Sequence, residues 1–353
     1  MTDALRYPSL RCVLEHMEAN NRLHIRSRCP SLRKIDTMIP LRLNGLCFFA
    51  NGIKLNDIIY QIWTASRYLT VEIRHDKNRK SIERRIPEHG DIHAGYRNML
   101  ELLLVGRSEI RIGRLKFCLY PEPDILPLLT GLPKFKVNFL SSGFFDFTTF
   151  LPLLHSSSFP LKELEITVKS DENLTHPILR TASKLYICNV SNDVVNWIDE
   201  MKTLPNRSIW PRFFEISVQT IFEIVEYWRD SNRDIGSEII IYRRPVDDVS
   251  GLLRIVKQRF DGKRVQFKEE IEGTWRPISI PMSLTSELVI YGCRKPVPDL
   301  TFTVSVLVIK VIPAGSTVPI SFPAIATEEY GTLFLMVVVC VIITFVLPYF
   351  VYY

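Results

Sequence analysis

Five short apolar stretches in the middle of the chain constrain its fold more than any other feature. They centre on Leu115, Val137, Leu164, Leu185 and Phe214, and each has the length and composition of a strand. They recur every 21 to 29 residues. Each gap holds an apolar piece fit for one or two helical turns, at 124–130, 145–155, 176–182 and 193–201. A strand and a short helix at that period predict an irregular leucine-rich-repeat-like α/β region. The same alternation also fits a layered α/β domain.

The flanks extend this pattern. Upstream, Leu41, Leu43, Leu46, Phe48 and Phe49 precede an Asn51-Gly52 turn signal and a second apolar run, Ile53 to Tyr60, which predicts a hairpin. Alternation over Tyr68 to Ile73 predicts another strand, and 93–105 a helix. Downstream, Ile221, Phe222, Ile224, Val225 and Trp228 form a broad stripe on a helix at 218–229. A strand at 238–242, a helix at 250–260 and short strands near 265–267, 278–280, 288–291 and 304–312 follow. Pro313, Gly315, Pro319 and Pro323 mark 313–330 as a linker.

The last 23 residues, Gly331 to Tyr353, carry no charge. At about 1.5 Å rise per residue they reach roughly 35 Å, enough to cross a hydrocarbon core. Tyrosines flank both ends, and the basic residues precede the stretch, as the positive-inside tendency expects. The N-terminal residues lack the apolar core of a secretory signal. The expectation is a single-pass C-terminal transmembrane helix with the bulk of the chain cytosolic. Seven cysteines, an odd number without CxxC spacing, agree with a reducing compartment.

Charge argues against a dedicated nucleic-acid binder. There are 44 basic and 38 acidic residues, a net +6. The densest basic cluster, Arg74, Lys77, Arg79, Lys80, Arg84 and Arg85, is interrupted by acidic residues and has no aromatic platform, so it reads as a solvated hairpin edge. GxSxG, GxxxxGK[ST], GxGxxG after a strand and HExxH are all missing. His89 and His93 are four apart but lack further ligands, and Asp247-Asp248 reads as a helix N-terminal pair. No catalytic, cofactor or metal residue is expected.

Residues 6–39 form a unit of their own. Leu10, Val13, Leu14 and Met17 share one helix face, Asn20-Asn21 breaks it, and Pro30 opens a further helix carrying Leu32, Ile35 and Ile39. Three short helices cannot bury a core alone, so they must pack on something. With Pro8, Leu10, Val13, Leu14, Leu23 and Cys29 at matching kinds of position, the unit resembles a shortened F-box. The run YPSLRCVLEHMEANNRLHIRSRCPSLRKIDTMIPLRLNGLCF, with SFPLKELEI, IFEIVEYWRDSNRDIGSEIII, ISIPMSLTSELVIYG and VLVIKVIPAGST in order after it, is similar to a nematode-specific family of F-box C-type proteins with a domain of unknown function.

That resemblance covers roughly 5–318. It implies a substrate-recruiting adaptor, with the F-box-like helices meeting a Skp1-type ubiquitin-ligase subunit and the remainder holding a protein substrate. Pro8, Leu10, Val13, Leu14, Met17 and Leu23 are the expected partner-binding residues. The expected layout is an F-box-like helical module at 6–39, an α/β repeat-like domain at 40–312, the 313–330 linker and the 331–353 membrane helix. The alternatives are a membrane-anchored interaction or structural protein without a ubiquitin link, and an enzyme of unrecognised type.

Overall fold

The computed structural model describes residues 7–320 apart from 66–67, 77–79, 87–90, 119–125, 130, 169–173, 190–196, 213–215, 243–245, 270, 272 and 297–302. The chain opens with three helices, α1 (Tyr7–His16), α2 (Ala19–Arg28) and α3 (Pro30–Met38). The break expected at Asn20-Asn21 falls two residues earlier. The Glu18 carboxylate accepts from the backbone N–H of Asn20 at 2.7 Å and of Asn21 at 3.2 Å, so it caps α2 and both asparagines enter the helix.

Strands β1 (Leu41–Phe49), β2 (Gly52–Leu55), β3 (Ile58–Ala65), β4 (Tyr68–His75) and β5 (Ser81–Ile86) form an antiparallel meander. At the Asn51-Gly52 turn a Cβ on Gly52 would collide with the Tyr60 carbonyl oxygen, so the position needs glycine. Arg84 and Arg85 of the basic cluster lie exposed on β5, the outermost strand, where charge discourages pairing with another sheet.

Helix α4 (Ile92–Leu103) leads into a parallel series. The order is β6 (Ile110–Cys118), α5 (Leu126–Leu129), β7 (Phe135–Ser141), a 3-10 segment (Phe147–Leu153), β8 (Glu163–Val168), α6 (Pro177–Thr181), β9 (Lys184–Asn189), α7 (Trp197–Thr203), β10 (Ser208–Arg212), α8 (Val218–Asp230) and β11 (Glu238–Tyr242). Each of these strands bonds to the one before it, and β1 lies parallel to β6. The centre expected for the fifth strand, Phe214, lies outside the described residues; the described strand, Ser208–Arg212, contains Pro211. Proline is tolerated because pairing with β11 involves only Ser208 and Ile209, so no bond to that neighbour is lost at Pro211.

Helix α9 (Val246–Arg259) precedes antiparallel strands β12 (Lys263–Phe267), β13 (Thr274–Pro281), β14 (Ser286–Pro296), β15 (Thr303–Pro313) and β16 (Thr317–Pro319). The stretch expected as a linker thus supplies β16. β15 turns back and pairs antiparallel with β11, from Glu238 opposite Lys310 to Tyr242 opposite Val306.

This pairing corrects the expected architecture. The parallel series is not a repeat region standing between a helical module and a membrane helix. It is the middle of one mixed sheet of 16 strands, in the order β16-β12-β13-β14-β15-β11-β10-β9-β8-β7-β6-β1-β2-β3-β4-β5. The expected span Gly331 to Tyr353 lies outside the described residues, and among the described residues no helix is long and apolar enough to cross a membrane. The transmembrane helix and the single-pass membrane localisation built on it are corrected accordingly. The apolar run in 304–312, for its part, lies in a central strand of the sheet.

Helices cover one face of the sheet. Beneath them lies a continuous core that joins Leu41, Phe48, Phe117, Phe135, Leu164, Leu185, Ile209, Ile239, Leu307 and Ile290 to α4, α8 and α9 through Tyr96, Leu100, Ile224, Trp228, Leu252 and Val256. Phe117 stacks between Phe48 and Phe150, with centroids 5.2 and 3.6 Å away. The in–out alternation slips by one residue at Gly45 in β1 and Gly113–Arg114 in β6. Leu43 and Leu46, and likewise Ile112 and Leu115, therefore all face the core although three residues separate each pair.

Candidate functional site

The N-terminal helices divide the expected partner-binding residues into two groups. Leu14 and Leu23 are buried. Pro8 and Val13 are exposed, Val13 at 46%, while Leu10 and Met17 are half-buried. The exposed side of α1 is therefore Pro8, Leu10, Val13 and Met17, and Leu14 and Leu23 hold the helices in place.

A buried ion cluster fixes these helices to the sheet. The Asp36 carboxylate at the end of α3 accepts from Arg22 Nε at 2.9 Å and from Arg107 Nη2 at 2.9 Å. All three side chains are at most 2% exposed. Arg22 also donates to the carbonyls of Asp36, Ile39 and Pro40, and Arg107 Nε to that of Leu103. Burial lowers the Arg107 pKa to about 10 against the opposing pull of Asp36. Asp36 thus joins α2, α3 and the segment after α4.

The sheet face away from the helices is built differently. A parallel strand covered on both sides reads as a continuous apolar run. Here the outward positions of successive strands are Arg114 and Lys116 (β6), Phe139 and Ser141 (β7), Glu163 and Glu165 (β8), Lys184, Tyr186 and Cys188 (β9), Ser208, Trp210 and Arg212 (β10), and Glu238, Ile240 and Tyr242 (β11). In-register pairing sets them side by side. One transverse row runs Arg114, Phe139, Glu163, Lys184, Ser208, Glu238, Lys310.

Aromatic rings lie under the long charged chains. Tyr186 sits 6.3 Å from Phe139 and 5.4 Å from Trp210, and Trp210 sits 6.2 Å from Tyr242. Cations cap them, with Arg114 over Phe139 at 4.0 Å, Arg212 over Tyr186 at 4.4 Å and Lys295 over Trp210 at 5.2 Å. Glu165 accepts from Ser141 at 3.0 Å and from Arg212 Nη1 at 2.8 Å. Glu238 accepts from Ser208, which in turn accepts from the Trp210 indole at 2.8 Å. Burial raises Tyr186 above the usual phenol range and pushes the Cys188 thiol up to about 12, so both are neutral at physiological pH. Towards β14 and β15 the same face turns apolar, with Ile240, Val289, Tyr291, Val306 and Val308 packed under Phe267 and Trp275.

At the other end of the face, the Cys47 and Cys118 thiols lie 3.1 Å apart on neighbouring strands. Among the described residues no cluster of His, Cys, Asp and Glu has the makings of a metal centre.

The elements from α4 to β11 carry the charge rows and the arginine of the Asp36 cluster. Residues 91–241 match the family model described as a domain of unknown function (DUF3557). The segment is not bounded by its own edges, because its first strand, β6, is paired by β1 and its last, β11, by β15, both outside the match. Arg107 lies inside the DUF3557 segment and its counter-ion Asp36 lies outside it. No curated protein and no solved structure matches the chain.

None of the open-face residues was singled out from sequence. The signal is clearest on β8 and β9, where Glu163, Glu165, Lys184 and Tyr186 alternate with the apolar Leu164, Ile166, Leu185 and Ile187.

Proposed function

We propose that this chain is a non-catalytic protein-interaction protein and that the open sheet face holds its protein ligand. The observation that carries this reading is the row of charged and aromatic side chains across β6 to β11 on the face that no described helix covers. Clustered Arg, Tyr and Trp over a rigid sheet have the composition of protein-binding hot spots. A photo-crosslinking amino acid at Lys184, exposed on the open face, is expected to trap a protein in extracts of the source cells. The same group at Arg254, exposed on α9, is not. Trapping at Arg254 but not at Lys184 would overturn the reading.

The resemblance to F-box C-type proteins supports a finer version, in which the chain recruits that ligand to a Skp1-type ubiquitin-ligase subunit through α1. The exposed Val13 beside half-buried Leu10 and Met17 favours it, because helices of this kind bind by laying an apolar face into a groove. Val13→Asp is expected to abolish co-purification with a Skp1-type protein while leaving the melting temperature unchanged. Leu14→Asp is the poorer probe, since Leu14 is buried and its loss disturbs folding. Absence of the partner from stringent pull-downs of the unaltered chain would leave the interaction reading standing and remove the ligase.

A further inference from the structure

One side chain of the open face has hydrogen-bonding capacity left over. Arg212 ends β10 with its side chain 9% exposed. Nη1 donates to Glu165, and the guanidinium plane lies over the Tyr186 ring. Nε and Nη2 have no hydrogen-bond partner. These two nitrogens form the side-on edge of the guanidinium, two parallel N–H groups at the spacing of a carboxylate's oxygens. On the adjacent strand the Tyr242 hydroxyl is likewise buried. It lies beside Arg212, whose guanidinium opposes the upward push of burial on the phenol both by its charge and by hydrogen bonding. Two buried guanidinium donors therefore stand unbonded at the carboxyl end of β10 with the Tyr242 hydroxyl beside them, and leaving buried donors unbonded costs free energy.

We propose that the Nε–Nη2 edge of Arg212, with the Tyr242 hydroxyl, binds a carboxylate of the protein ligand, either an Asp or Glu side chain or a chain terminus. This rests on the open face being the ligand-holding surface. Charge selects a monoanion. Glu165 already neutralises Arg212, the Cys188 thiol beside it stays protonated, and Lys295 over Trp210 supplies one further positive charge. A phosphate dianion would meet Glu165 with too little positive charge to compensate. Since Nε and Nη2 of Arg212 are shielded from bulk water, the contact is strengthened by the low local dielectric.

The test is NMR of the arginine Nε–H groups of the full chain. It is titrated with N-acetyl-glutamate N-methylamide, with N-acetyl-alanine, and with N-acetyl-glutamine N-methylamide as the uncharged control. The Arg212 Nε–H signal is expected to move and saturate with at least one carboxylate and to ignore the glutamine compound. The carboxylate that works tells a side chain from a chain terminus. Arg212→Gln abolishes the response when followed on the Trp210 indole N–H. Tyr242→Phe, which keeps the ring in place, weakens binding roughly 3- to 10-fold, the worth of one hydrogen bond. Three results would overturn the proposal: no saturable shift with either carboxylate, an equal shift with the glutamine compound, or a fork satisfied by an internal water only. If trapping at Lys184 persists alongside any of these, the open-face reading survives without the carboxylate site.

Discussion

Two buried arginine–carboxylate contacts in this molecule differ in what they leave over. At the joint between the helices and the sheet, one carboxylate, Asp36, takes both Arg22 and Arg107, and backbone carbonyls absorb most of the remaining donors. On the open face, Glu165 engages Arg212 through a single nitrogen, and an entire edge of the guanidinium is unbonded. The Asp36 cluster, in which Arg107 Nη1 alone lacks a partner, ties three segments into one arrangement deep inside the molecule. An incompletely satisfied pair at the rim of an uncovered sheet is poised to be completed from outside. A buried arginine alone is therefore no marker of function; its unspent donors and their location are.

The sharpest way to break this contrast is at Asp36. Asp36→Asn leaves two nearly inaccessible guanidiniums without an anion and is expected to cost about 3–5 kcal/mol in a denaturant melt, because removing one partner of a buried ion pair strands the other. A loss below about 1 kcal/mol would mean that the joint does not register the helices on the sheet. Arg212→Gln comes next, at about 1–3 kcal/mol, since Glu165 keeps its bond from Ser141. Should it equal Asp36→Asn, the two sites are of one kind and the contrast fails. Tyr242→Phe is expected to cost at most about 1 kcal/mol, because the ring stays in place and only the contact of the hydroxyl with Arg212 is lost. A comparably small effect lies at the surface and depends on pH. Hydrogen bonds from Arg111 and Lys136 hold the Glu109 carboxyl at about 2 in the folded chain. Its contribution is therefore present above the ordinary carboxylate pKa and lost as pH falls toward 2. Solvent screening of this exposed pair keeps it below about 1 kcal/mol, read as a slightly shallower acid limb for Glu109→Gln.

Local elements were legible in the chain wherever one periodicity dominated. The Ile221–Trp228 stripe, the Asn51-Gly52 turn and the helical pieces between the parallel strands all lie where apolar spacing places them. The sheet order was not legible, since β11 finds β15 some sixty residues later in sequence and no local pattern encodes that choice. The described part of β10 lies ahead of the apolar centre read at Phe214, and the short pairing with β11 is what makes its Pro211 harmless. The alternation on β6 to β11 was visible but was spent on identifying strands. Its second message, that half the positions face something polar, needed the register to show that the charges align. Arg212 in particular gives no sequence signal apart from that row.

The pairing of β6 by β1 and of β11 by β15 has a consequence for how such chains can be cut and inherited. A fragment limited to 91–241 would bare β6 on one side and four residues of β11 on the other, the open templates that drive chains to stack edge to edge. It would also carry Arg107 as an orphan cation. Such a piece is expected to polymerise rather than fold, whatever its resemblance to other domains. A stretch that keeps both contacts must therefore take in Arg22 and Asp36 at one end and β15 at the other, well beyond the matched residues 91–241.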